Sequence, residues 1–215
     1  GEISLAHNGV LFLDELGEFS KKTLDMLRQP LEKGEITISR VRQSVTYPAK
    51  FTLIVATNPC PCGYFGSNER YCNCTSKQVQ QYQQKVSGPL LDRLDFFLPL
   101  QSVVLQKQSQ HETSATIRER VQQARKIQMD RYNALNGNVS TALFRQYLHI
   151  DDDTFNYLQQ QCFTLKWSNR TQTKTLRLAR TIADLDRAFT IEKHHIEEVI
   201  TWKKLAPMPM EEAYA

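Results

Sequence analysis

Val10-Leu-Phe-Leu-Asp-Glu15 and Phe51-Thr-Leu-Ile-Val-Ala-Thr-Asn-Pro59 are the two stretches on which the fold turns. In the first, four apolar residues follow Asn8-Gly9 and stop at two acids. A short unbroken apolar run between a turn signal and a charged stop reads as a buried parallel strand. The second runs apolar from Phe51 to Ala56 and ends at Thr57-Asn58-Pro59, where proline has no N–H to give to a ladder. Helical signals lie between them. Ser20 to Glu32 places Leu24, Leu27 and Leu31 on one face with Met26 near it, Ser20 suits an N-cap, and Gly34 suits a stop. Ile36-Thr-Ile-Ser-Arg40 and Ser44-Val-Thr-Tyr47 alternate with period two around Val41-Arg-Gln43, which predicts a β-hairpin with a basic tip. Strands alternating with helices predict an α/β fold for this part of the chain.

Beyond about residue 105 the pattern changes. Ile117, Val121, Ala124 and Ile127 step by four, three and three, as an amphipathic helix does. Asp151-Asp-Asp153 ahead of Phe155 and Leu158 reads as a helix start whose acids suit the helix dipole. Residues 174–188 and 192–205 supply two further helices, and no strand signal follows residue 105. The expected division is an α/β segment over 1–105 and an all-helical segment over 106–215.

The 215 residues carry 27 basic and 23 acidic side chains, a formal charge of +4. The charge is even along the chain: 12 basic and 10 acidic groups in 1–107, 15 and 13 in 108–215. That excludes a basic or acidic tail, so any anion-binding surface must come from local arrangement. Hydrophobic residues at 40% and recurring aromatics exclude disorder. The longest apolar runs fall far short of the ~20 residues that span a bilayer. No charged-then-apolar leader precedes them, so the expectation is a cytoplasmic protein with no membrane partner. None of the 8 glycines is followed by lysine, so the phosphate-loop pattern G-x-x-x-x-G-K-[ST] does not occur. Glycine rather than methionine stands first and leads straight into structured-looking sequence, which is expected of a piece of a longer protein.

Three places carry polar groups suited to phosphate chemistry. Asp14-Glu15 sits at the carboxyl end of a strand, where ligands bind in open α/β sheets. One carboxylate there can hold Mg²⁺ and its neighbour can orient a water, although an ordinary acidic helix start has the same pattern. Asn58 ends the second strand, and a neutral amide can position water without adding charge, as can an ordinary Asn-Pro turn. In Ser87-Gly-Pro-Leu-Leu-Asp-Arg-Leu-Asp95, Arg93 offers a permanently charged donor fork to transferring phosphate, or pairs with acidic neighbours on the surface.

Gly1-Glu-Ile-Ser-Leu-Ala-His-Asn-Gly-Val-Leu-Phe-Leu-Asp-Glu15, Leu27-Arg-Gln-Pro-Leu-Glu32, Asn58-Pro-Cys-Pro-Cys-Gly63, Ser87-Gly-Pro-Leu-Leu-Asp-Arg93 and Ala179-Arg-Thr-Ile-Ala-Asp-Leu185 together resemble the ComM/YifB family across essentially the whole chain. These are bacterial AAA+ ATPases related to magnesium chelatase. The resemblance implies part of an AAA+ P-loop NTPase αβα core followed by an all-helical lid. It implies ATP and Mg²⁺ as cofactors, with Asp14 the Walker B magnesium ligand and Glu15 the catalytic base. Asn58 would be sensor 1, Arg93 an arginine finger acting on the neighbouring subunit's nucleotide, and Arg170, in Ser168-Asn-Arg170, sensor 2. It also implies a homo-oligomeric ring, a hexamer, that couples ATP hydrolysis to DNA remodelling by branch migration in recombination and natural transformation. Family members carry a Walker A loop some tens of residues before Walker B, and a Lon-like domain before that. Neither is in this sequence, so the chain is expected to hydrolyse little or no ATP by itself. The family's usual proline in Asp-Glu-Leu-Pro-Glu-Phe is Gly17 here.

Arg40 and Arg42 lie two apart on the hairpin, so both can project to one side. In related ring ATPases such a hairpin enters the central pore and touches nucleic acid, and two arginines suit phosphates; a solvated hairpin end has the same composition. Lys166, Arg170, Lys174, Arg177 and Arg180 step by four, four, three and three, a stripe of cations along one helical face. Cys60, Cys62, Cys72 and Cys74 form two C-x-C pairs separated by nine residues, which suits a tetrahedral four-cysteine zinc site or a set of buried free thiols. Zinc there would be structural, tying down the loop after Asn58. Cys162 reads as core. His194-His195 is set aside as a metal pair because adjacent residues do not share a helix face. Two alternatives to the DNA motor remain: the ATPase subunit of a metal-inserting chelatase, and a non-catalytic zinc-containing interaction module.

Overall fold

The computed structural model describes residues 1–40, 43–67, 70–100 and 112–204. The elements run α1 (Glu2–Leu5), β1 (Val10–Leu13), a 3₁₀ turn (Leu16–Glu18), α2 (Lys21–Met26), α3 (Arg28–Lys33), β2 (Glu35–Arg40), β3 (Gln43–Pro48), β4 (Thr52–Val55), α4 (Ser76–Gln83), α5 (Gly88–Leu91), α6 (Ser114–Tyr132), α7 (Thr141–Gln146), α8 (Asp152–Thr164), α9 (Asn169–Leu185) and α10 (Lys193–Lys204). They fall into two compact units that divide between Asp95 and Phe96. The boundary expected near residue 105 lies among 101–111, outside the described residues. The first unit is mixed α/β with small sheets, and the second is helical.

In the first unit β1 and β4 pair in parallel, from Val10 opposite Thr52 to Leu13 opposite Val55. The expected burial is half right. Leu11, Leu13 and Val55 pack against Leu16, Leu24, Leu27 and Leu90. The other face is open: Val10 is 57%, Phe12 58% and Ile54 47% exposed. Every described helix that contributes to this core lies on one side of the strands, so the apolar run is covered once and not twice. Where an αβα core would have a broad sheet, the described residues form two separate two-stranded sheets.

The single helix predicted over 20–32 is two. Ser20 caps α2 by accepting from the Thr23 N–H at 3.1 Å, and Gly34 ends α3 at φ 68. Between them the chain breaks at Leu27 because Pro30 has no N–H for the Met26 carbonyl, while proline is tolerated in the first turn of α3. In the hairpin Arg40 pairs with Gln43, so the turn is one residue shorter than predicted. Thr37 and Ser39 share hydrogen bonds with Thr46 and Ser44 across one face, and Ile36 and Ile38 stand opposite Tyr47 and Val45 on the other.

The second unit packs Phe144, Leu158, Ala179, Ile191, Ile196 and Val199 into one core, with Cys162 at its edge as expected. Asp151 caps α8 by accepting from the Thr154 N–H at 2.7 Å, and that bond holds its carboxyl below the usual range. Helix α9 starts at Asn169, earlier than predicted. Two expectations change here. In α6, Ile117 and Val121 are each 42% exposed, and only the later part of the stripe, from Ala124, packs inward. The cationic stripe is not a wet helix face. Lys166 precedes α9, Arg177 donates to the Asn136 carbonyl at 2.5 Å, and Arg180 is fully buried. Arg180 holds the Asp184 carboxylate and donates to the carbonyls of Ala188 and Phe189, closing the end of α9. Arg131 and Asn136 complete the ring of donors around Asp184.

Candidate functional site

Parallel pairing of β1 with β4 sends both strands out of the same sheet edge, so Asp14-Glu15 and Asn58 emerge side by side. The pairing continues past the strands: Ala56 N–H donates to the Leu13 carbonyl and Leu16 N–H to the Ala56 carbonyl, each at 2.9 Å. Glu15 adopts φ 49, ψ 50, a left-handed conformation rare for a residue with a Cβ. Its N–H donates to Asp14 Oδ1 at 2.9 Å. Both carboxylates are exposed, which fits a magnesium ion, since that ion takes one or two carboxylates and keeps several waters. Asn58 is exposed, with Gly63 against its side chain.

Arg93 follows α5 and is folded back. It donates to the Pro89 carbonyl at 2.5 Å and pairs with the Glu32 carboxylate, leaving its side chain 11% exposed. Its partner therefore comes from α3, 61 residues away, and not from a neighbouring acid in the sequence. Arg170 stands exposed in the first turn of α9, behind the N-cap Ser168, in the second unit. Arg40 closes β2, and Arg42 lies outside the described residues.

The four cysteines converge. All four sulfurs lie within 4.8 Å of one another, with Cys60–Cys62 at 3.4 Å, Cys62–Cys72 at 3.5 Å and Cys60–Cys72 at 3.8 Å. Tetrahedral zinc with bonds of ~2.3 Å would set sulfurs about 3.8 Å apart, so the cluster fits the ion. The cysteines are free of disulfides, and Cys60 is buried. The Tyr64 N–H draws the Cys62 thiol down to about 6. Desolvation and the neighbouring thiols push Cys74 up to about 12. Cys72 also rises, its attraction to the Cys74 backbone outweighed by desolvation and its thiol neighbours. Four thiolates this close repel unless a cation joins them, which is the chemistry of a zinc cage.

Asp186, His194 and His195 also gather their ligand atoms within 4.8 Å, so adjacency in sequence did not keep the two histidines apart. Their ring centroids are 3.9 Å apart. His195 Nδ1 accepts from the Glu192 N–H at 2.9 Å. The Nε2 that faces Asp186 at 3.3 Å therefore carries the proton and is not a ligand lone pair. This is a helix-start bond to α10 and not a metal site.

Sequence reasoning missed the residues that brace the Glu15 turn. Tyr82 on α4 fills the space where a Gly17 Cβ would be, and Lys85 donates to the Gly17 carbonyl at 2.5 Å. The one signal available was Gly17 itself, standing where the resembling family has proline.

Two family models match the chain: "Magnesium chelatase, subunit ChlI" over residues 1–109, and its "C-terminal" counterpart over residues 111–203. The protein YifB of Escherichia coli is 41% identical over 209 residues, and competence protein ComM of Haemophilus influenzae 40% over 210; each alignment covers 95% of this chain. A Mycobacterium tuberculosis protein, Rv2897c, is 36% identical over 191 residues. The chain spans about two fifths of the length of these relatives, 41% for YifB and ComM. Among the described residues no helix is long and apolar enough to cross a membrane. With the two family models together matching most of its length, the chain belongs to the magnesium chelatase ChlI-like family that includes ComM and YifB.

Proposed function

We propose that this chain is part of a ring-forming AAA+ ATPase that couples ATP hydrolysis to DNA remodelling. The observation that supports it best is the parallel β1–β4 pair, which delivers two carboxylates and a neutral amide to one sheet edge. Magnesium-bound ATP supplies the phosphoryl group that is attacked. Asp14 would hold the magnesium that accompanies ATP, Glu15 accepts the proton of the attacking water, and the Asn58 amide orients that water. Arg170 takes the sensor 2 role. Arg93 serves the nucleotide of the neighbouring subunit in a hexameric ring, for which it must exchange Glu32 for phosphate. Arg40 and Arg42 touch DNA phosphates from the hairpin. Zinc in the cysteine cage is structural. The name of the competence relative supports a competence-related role.

The test uses the full-length parent with branched DNA. Glu15→Gln should lower kcat by ~100-fold or more while ATP binding survives. Arg93→Ala should be inactive alone, yet an equimolar mixture with Glu15→Gln should regain activity, because mixed rings contain interfaces with both groups intact. A mixture that stays silent removes the ring-interface role. The description of the matched family as a magnesium chelatase subunit favours a second reading, the ATPase of a metal-inserting chelatase. ATPase activity indifferent to DNA but responsive to a porphyrin-chelatase partner would select it.

A further inference from the structure

Helix α4 is strung between the cysteine cage and the Glu15 turn. Its first end belongs to the cage: Cys74 is followed at once by Thr75, which caps α4 in a reciprocal pair of bonds with Gln78. Cys60, at the other end of the same loop, follows Asn58-Pro59, and the Gln83 side chain of α4 donates to the Pro59 carbonyl at 3.1 Å. The far end of α4 meets the Glu15 turn. Tyr82 is 6% exposed, and its ring occupies the room a Gly17 side chain would need. Its hydroxyl faces the side chain of Thr57, the residue before Asn58. Lys85, two residues past the helix, donates to the Gly17 carbonyl and lies 5.4 Å from the centre of the Tyr82 ring.

We propose that the cysteine cage, when it holds its metal, sets the Glu15 turn through α4, with Tyr82 and Lys85 as positioning residues. The proposal rests on the reading of Glu15 as the catalytic base. The left-handed backbone at Glu15 is costly and persists only where its surroundings over-determine it. The Leu16–Ala56 hydrogen bond holds one side of the turn and α4 holds the other. Opening the cage releases the start of α4 from the end of β4, so Tyr82 and Lys85 lose their anchor and the carboxylate drifts from its water. A displacement of about 1 Å at a reacting group costs on the order of 100-fold in rate. Gly17 is then the complement of Tyr82: a side chain there would push the ring away from Thr57.

Amide hydrogen exchange on the 215-residue chain, zinc-loaded and then chelated, tests the coupling without any ATP hydrolysis. Amides of residues 16–19 should exchange on the order of tenfold faster after chelation, while those of α9 in the other unit stay unchanged. Tyr82→Ala should give the same acceleration with about one zinc still bound, and chelation should then add nothing. Tyr82→Phe, which keeps the ring and drops only the hydroxyl that faces Thr57, should give a smaller effect of the same kind, as should Lys85→Met. In the full-length parent, zinc removal and Tyr82→Ala should each lower kcat with the KM for ATP unchanged, and together do no more than either alone. Unchanged exchange at 16–19, or two rate losses that multiply, would overturn the proposal. If chelation melts the first unit, β1 amides accelerate too, and the zinc-bound Tyr82 and Lys85 variants decide alone. Loss of the base assignment, seen as a Glu15→Gln parent of normal kcat, would show separately and leave the exchange result standing.

Discussion

Asp184 shows how much a single buried carboxylate can organise. It is 1% exposed and receives Arg131, Arg180 and Asn136, while Arg180 spends its remaining donors on two carbonyls past α9. Desolvating three charges is expensive, and the arrangement holds because both Asp184 oxygens accept bonds and all three Arg180 nitrogens donate. Removing the carboxylate strands two guanidinium groups, one of them fully buried. Asp184→Ala should therefore destabilise the second unit by about 3–5 kcal/mol, the cost of breaking a buried pair by deleting one partner. Denaturant melts followed by Trp167 and Trp202 fluorescence, both in that unit, would measure it; a loss under about 1 kcal/mol would show the guanidinium groups find water instead. None of this was legible in the sequence. Steps of three and four cations along a helix look like a solvated face, and only the packing reveals that Arg177 and Arg180 point inward.

At the scale of elements, legibility follows how local the cause is. β1, β4 and the hairpin were readable because apolar runs, period-two alternation and a terminal proline are local. The break at Leu27 was readable in principle, since Pro30 carries it, but the regular leucines masked it. The two Cys-x-Cys pairs were visible, and their convergence is a tertiary fact: Gly63 and Gly66 at φ 82 and 76 turn the loop between β4 and α4 back on itself. The place of Asp14, Glu15 and Asn58 at the ends of paired strands was legible because strand ends are local, whereas the Glu32 partner of Arg93 was hidden by distance in sequence. For the cage the expected outcome is one zinc per chain by elemental analysis, with its four thiols shielded from thiol reagents until a chelator is added. Less than about half an equivalent with four freely titrating thiols would remove the metal from this loop.

The whole molecule has two units with different claims to self-sufficiency. The helical unit encloses its core, with Leu158, Ala179, Ile191, Ile196 and Val199 all at 0% exposure. The α/β unit buries one side of its parallel pair and leaves Val10, Phe12 and Ile54 half exposed on the other. Adjacent apolar side chains on a strand pair make a patch and not a scatter of single residues, and such patches bind whatever apolar surface is available. The chain should therefore enhance the fluorescence of an apolar dye such as ANS while fully folded, with the melting transition intact. Phe12→Thr and Ile54→Thr suit the strands and change only the open face, so they should cut the dye signal several-fold and leave the melting temperature nearly unchanged. A dye signal that survives both substitutions would place the apolar surface elsewhere, and a large loss of stability would mean that this face is already packed in solution.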